Sequence, residues 1–207
     1  MADPRPAAIR LPLLALLFLF SGFAALVYQV VWQRSLFAIY GVNIESVTII
    51  VTAFLLGLGL GSLVGGQISR DPDRPAVVLF GLLELSIGAF GLISLRLFAA
   101  VGALTAGGSP LLTFTMSFLL LLLPTGLMGA TLPILVAHTV RQIQNVGRSV
   151  AILYFVNTLG SSIASFATAV FLLGRLGQQG TVALAASCNA LAGTSALLAH
   201  WLGGRRG

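Results

Sequence analysis

Apolar residues run along this chain in long blocks, without the apolar–polar alternation of a half-buried strand. A helix rises about 1.5 Å per residue, so about 20 apolar residues cross a hydrocarbon core of about 30 Å. Six blocks reach that length: 11–32, 46–68, 76–95, 110–137, 149–173 and 181–202. The pattern predicts an all-α integral membrane protein, a six-helix transmembrane bundle forming one domain over residues 1–207. The short alternating segments of an outer-membrane barrel are not the pattern here. Residues 33–45 and 96–109 read as loops, and RDPDRP at 70–75 as a tight charged turn. None of these connections can hold a folded domain. Pro124 and Pro133 inside the fourth block predict a tilt or a break, because proline lacks the backbone donor. The first block continues to Val31, too far for the core of a signal peptide, and is expected to be an uncleaved anchor.

Composition sharpens this reading. The chain is 57% hydrophobic and 8% charged, with a mean hydropathy of +1.03, against about 25% charged residues in a soluble domain. It cannot cover itself with charge, so lipid is the expected outer solvent. The formal charge is +6, and all 11 basic residues are arginines. They are dispersed through short connections with no interleaved aromatics, which argues against nucleic acid as a partner. With six spans, Arg5, Arg10, Arg70, Arg74, Arg141, Arg148, Arg205 and Arg206 fall on one side. Arg34, Arg96 and Arg175 fall on the other. The positive-inside rule then puts both termini in the cytoplasm and the protein in the inner membrane.

Small and polar residues mark the helix faces. Helices in lipid associate through close packing of small side chains. Ala53, Gly57, Gly61 and Gly65 recur at intervals of four in the second span and read as a packing stripe. The neighbouring Gly59 makes a Gly-x-Gly pattern, but a nucleotide-binding turn needs a preceding strand and a following acid, and neither is present. In the third span Gly81, Glu84, Gly88 and Gly91 share a face. Glu84 sits mid-span, where a charge costs several kcal/mol unless paired, protonated or hydrated. It reads first as a structural carboxylate and second as a proton- or cation-binding site.

The fifth span gathers Tyr154, Asn157, Gly160, Ser161, Ala164, Ser165 and Thr168, with Phe155, Leu159, Ile163, Phe166 and Val170 opposite. Asn157 is expected to pack between helices and is able to hold Glu84. Gly22, Ala25, Gln29 and Trp32 share a face of the first span. Gln29 reads as an interhelical hydrogen-bonding residue, and Tyr28 and Trp32 as aromatic anchors near a membrane end. The candidate polar or substrate site is therefore Glu84, Asn157, Gln29 and Tyr154. His138 and His200 lie at span ends without a second ligand at metal spacing, and Cys188 is the sole cysteine. No metal, cofactor, disulfide or catalytic constellation is expected.

Five segments, taken in order, resemble the membrane region of the spermidine-synthase-like proteins. They are SGFAALVYQVVWQR (21–34), GLGLGSLVGGQISRD (57–71), LLEL (82–85), LPTGLMGATLPIL (123–135) and VGRSVAILYFVNTLGSSIAS (146–165). The matching residues are Tyr28, Trp32, Arg34, the glycines at 57, 61, 65 and 66, Glu84, Pro124, Gly129, Pro133, Tyr154, Asn157 and Gly160. The resemblance implies a bundle like one half of a major-facilitator-type transporter. That family often carries a soluble aminopropyltransferase-like domain; residues 1–207 are expected to hold none, a departure from the family, so the resemblance does not imply polyamine synthesis. Gln29 stands where the family often has glutamate, which weakens a proton-coupling role.

Three functions are compatible with these features. The favoured expectation is a non-enzymatic accessory or scaffold subunit of a larger membrane complex, in contact with lipids and other subunits. A small transporter of amines or lipid-like molecules, working as a homodimer, is the second. A membrane anchor for a separate aminopropyltransferase-like enzyme is the third.

Overall fold

In the computed structural model, which describes residues 11–41 and 44–204, the apolar blocks form helix and no strand occurs among the described residues. The helices are α1 (Leu11–Tyr40), α2 (Ile44–Ile68), α3 (Ala76–Thr105), α4 (Pro110–Ile143), α5 (Val146–Ala167) and α6 (Leu173–Gly204). A π-helical turn, Thr168–Leu172, joins α5 to α6. Arg5, Arg10, Arg205 and Arg206, which enter the charge-asymmetry argument, lie outside the described residues.

Two expected loops are largely helix. α1 continues to Tyr40 and α3 to Thr105, well beyond the apolar blocks. Once a helix is nucleated, each added residue gains a backbone hydrogen bond, so it runs on until something stops it. Here glycine does, at positive φ: Gly41 (φ 87°) ends α1 and Gly107 (φ 75°) follows α3. Ser109 then caps α4, its side chain accepting from the Leu112 amide, with Pro110 in the first turn. Asn145 caps α5 in the same way, accepting from the Arg148 amide at 2.9 Å.

The break expected at Pro124 and Pro133 does not occur, since α4 is one helix of 34 residues. Threonine hydroxyls bond carbonyls next to the two, Leu120 and Gly129, that the prolines leave without a backbone donor. Thr125 Oγ1 donates to the Leu121 carbonyl at 2.8 Å, and Thr131 Oγ1 to the Met128 carbonyl at 2.7 Å.

Five helical stretches are long and apolar enough to cross a membrane, where six were expected. Their mean hydropathy is 1.6 to 2.3. The fifth, Val146–Gly203, joins the last two blocks into 58 residues. The join is not straight. Gly177 has φ 63° and ψ −175°, outside the helical region. Before it, Asn157 and Ser161 of α5 bond to the carbonyls of Phe18 and Gly22, so α5 runs parallel to α1. After it, Gln178 meets Ser35 and Asn189 meets Tyr28, so α6 runs antiparallel to α1. The chain reverses between them.

The bundle is apolar outside. Leu63 is 70% exposed, Leu111 72% and Phe166 64%, and such residues cover its flanks. A surface this apolar suits lipid. Some polar side chains are turned inward: Glu84, Ser94, Ser117, Thr125 and Asn189 are all buried. α2 packs on α4, α5 on α1, and α6 on both α1 and α3. The glycine stripe makes the first of these contacts. A Cβ on Gly57 would fall on the Thr125 side chain, and one on Gly61 on the Gly126 carbonyl. One on Gly65 would lie 2.6 Å from the Ala130 carbonyl. Gly81 and Gly88 face α6, and Gly160 and buried Ala164 face α1.

Candidate functional site

Glu84 is fully buried where α1, α3 and α6 meet. The glycines around it allow that approach. Gly81 lies against Gly193 and Leu197, and Gly88 against Asn189 and Ala186. Both carboxylate oxygens are occupied. Ser21 Oγ donates to Oε1 at 2.5 Å, and Asn189 Nδ2 donates to Oε2 at 2.8 Å. Tyr28 OH in turn donates to Asn189 Oδ1 at 2.9 Å. Ser21 and Tyr28 are seven residues apart on one face of α1, so one stripe of that helix supplies both ends of the cluster.

A second pair continues the interface one turn further along α1. Trp32 Nε1 donates to Ser94 Oγ at 2.9 Å, and Ser94 Oγ donates to the Gly91 carbonyl at 2.6 Å. Tyr28 and Trp32 stack with ring centroids 5.1 Å apart. Phe54, Phe90 and Phe98 surround the indole. Both aromatics are fully buried, so they are core residues and not interfacial anchors. The extension of α1 to Tyr40 explains the difference, because it carries the helix end two turns past Trp32.

The other expected site residues lie elsewhere. Asn157 does not reach Glu84. Its Nδ2 donates to the Phe18 carbonyl at 3.3 Å, and its backbone packs against Gly22. Ser161 Oγ bonds the Gly22 carbonyl at 3.0 Å, so the two residues fasten α5 to α1. Tyr154 is 62% exposed and points away from the bundle, as does Ser165. The helix twist carries both off the face that Asn157, Gly160, Ala164 and Thr168 share. Gln29 is partly buried and has no hydrogen-bond partner among the described residues, so the interhelical bond expected for it is not formed. His138 does not approach a metal cluster, and no group of three metal-ligating side chains occurs among the described residues.

Asn189 is the residue that sequence reasoning missed. The signal was there: one amide in an apolar span, with Ala185, Ala192, Gly193 and Ala196 around it. An amide in such a span needs a partner, and the one buried acid among the described residues is the natural choice.

Chemically the cluster is closed. Ser21 can donate or accept, and Asn189 can turn its amide, so the group accommodates either the carboxylate or the neutral acid. Three grooves on the helix surfaces are lined by other residues: one by α2, α3 and α4, and two near Ser35 and Arg34. Helix-to-helix amide bonds of this sort are worth about 0.6 kcal/mol in lipid. Asn157→Ala is therefore expected to lower stability by about that amount. Tyr154→Phe is expected to leave it unchanged; unfolding in mixed micelles distinguishes the two.

Fold and site together define an all-α protein of apolar helices suited to a membrane, organised on a buried polar cluster. Compared with family models, curated proteins and solved structures, the chain finds no match.

Proposed function

We propose that the chain is a non-enzymatic membrane protein that serves as an accessory or scaffold subunit of a larger complex. The observation that carries this reading is the closure of Glu84, fully buried with both oxygens satisfied by Ser21 and Asn189. A carboxylate so enclosed joins helices. One that binds a passing substrate needs a path to it. The reversal at Gly177 supports two crossings by residues 146–203, hence six in all. The end of the bundle bearing Arg70, Arg74, Arg141 and Arg148 is then cytoplasmic, as are both termini. The resemblance to the spermidine-synthase-like membrane regions is consistent with this topology.

The test is isolation from native membranes in a mild detergent. The chain is expected to migrate with other subunits at a size well above its own 21.5 kDa. Recovery as a lone monomer, with no companion in the mass spectrum, would remove the proposal. A dimeric transporter is the second reading. The π turn at 168–172 favours it, because such irregularities often accompany function in membrane helices. Substrate movement in vesicles that is lost in Glu84→Gln would select it over the first.

A further inference from the structure

We propose that the groove between α2, α3 and α4 binds one acyl chain of an anionic phospholipid from the leaflet next to Arg70, Arg74 and Arg141. The groove has a volume of about 540 Å³. Its floor is small, with Gly57, Gly61, Gly126 and Ala130. Its walls are branched aliphatic residues such as Val64 and Leu83. No charged side chain enters it, so it suits hydrocarbon and offers a polar ligand nothing to bind.

Length and depth select the occupant. On α2 the groove runs from Gly57, at the middle of the helix, to Ile68, at its end. Those 11 steps span about 17 Å at 1.5 Å per residue. That is close to half of a hydrocarbon core of about 30 Å, the depth of one leaflet. A crossing helix from another subunit would need a groove along the full height. On α4 this one runs from Leu119 to Ile134, 15 steps or about 22 Å, still short of a full core of about 30 Å.

Charge selects the headgroup. The groove opens at Ile68, Leu79 and Ile134, directly beneath the turn at 69–75. Arg141 is folded over that turn and donates to the carbonyls of Pro72, Ser69 and Asp71 at 3.1 to 3.4 Å. Its guanidinium is thereby held at the turn that follows the groove's α2 end, without a carboxylate partner among the described residues. Arg74 pairs with Asp71 at 3.2 Å, and exposed Arg70 follows the groove's last α2 turn. At this end Arg70, Arg74, Arg141 and Arg148 outnumber Asp71 and Asp73 by four to two. A phosphodiester bearing one negative charge is attracted there, and a zwitterionic headgroup much less. The acyl chain below supplies most of the affinity and the arginines supply the choice among headgroups.

The experiment is native mass spectrometry of the full chain in mild detergent. The chain is titrated with phosphatidylglycerol or phosphatidylcholine carrying the same acyl chains. Phosphatidylglycerol is expected to be retained at least threefold better. Val64→Trp fills the groove from an exposed position, and Arg70→Gln removes a charge at its mouth. Each is expected to reduce phosphatidylglycerol retention at least threefold. Leu92→Trp, two and a half helical turns from Leu83 and so on the opposite, exposed face of α3, is expected to change nothing. Leu123→Trp, 61% exposed and also in the groove, replaces Val64→Trp if that variant fails to fold. Equal retention of the two lipids would overturn the proposal. So would full retention in the groove-filling variant, or a dimer that seats a second copy in the groove and excludes lipid. None of these results depends on whether the chain has subunit partners.

Discussion

Glu84→Ala is expected to destabilise the bundle by about 3 kcal/mol, from a cavity and from buried donors left without an acceptor. Ser21 and Asn189 would both lose their acceptor, and α1, α3 and α6 would lose the point at which they join. Glu84→Gln should cost far less. Its carbonyl keeps the Ser21 bond. Its amide can donate to Asn189 once that side chain turns over, and Tyr28 OH can then accept instead of donate. Glu84→Leu is the informative third member. It fills the volume but leaves two buried donors, so it should fall near alanine. Reversible unfolding in mixed micelles, read by Trp32 fluorescence, checks the order. If leucine proves as stable as wild type, the hydrogen bonds contribute nothing and the cluster is only a packing site.

The second large effect is expected at Gly61. A side chain there meets the backbone of Gly126, and backbone cannot rotate aside. Gly61→Leu is expected to force α2 from α4 and to cost about 3 kcal/mol, at the upper end of overpacking effects. The control lies in the same helix. A Cβ on Gly59 or Gly66 meets nothing within 4 Å. Gly59→Ala and Gly66→Ala should be neutral or stabilising by up to about 1 kcal/mol, through backbone entropy alone. Melting temperatures of the three variants in one detergent decide the matter. Equal losses at all three would mean that α2 suffers from any added side chain, irrespective of the α4 contact.

How much of this was legible in the sequence follows from the range of each interaction. The α2 stripe at Ala53, Gly57, Gly61 and Gly65 repeats at a fixed local interval, so composition and period were enough to find it. That it meets α4 was not legible, because nothing in α2 names its partner. Glu84 stood out as one acid in an apolar block. Its partner did not, since Asn189 is 105 positions away in sequence. The nearer candidate, Asn157, was drawn to backbone carbonyls on α1 instead. Tyr154 and Ser165 join the polar face of α5 in the sequence by residue type, whereas the 3.6-residue period turns them outward. Trp32 reads as interfacial in the sequence because the apolar block ends beside it. Hydropathy marks where lipid contact ends, and helix continues past that point until a glycine such as Gly41 admits a positive φ.

The reversal at Gly177 sets an order of manufacture. A ribosome delivers α1 first, yet the surfaces that cover Tyr28 and Phe18 belong to α6 and α5, among the last segments to emerge. Throughout that interval Ser21 and Tyr28 must be sheltered by something other than their final neighbours, whether insertion machinery or lipid. A nascent chain stalled before Asn189 would carry an acid satisfied on one oxygen only.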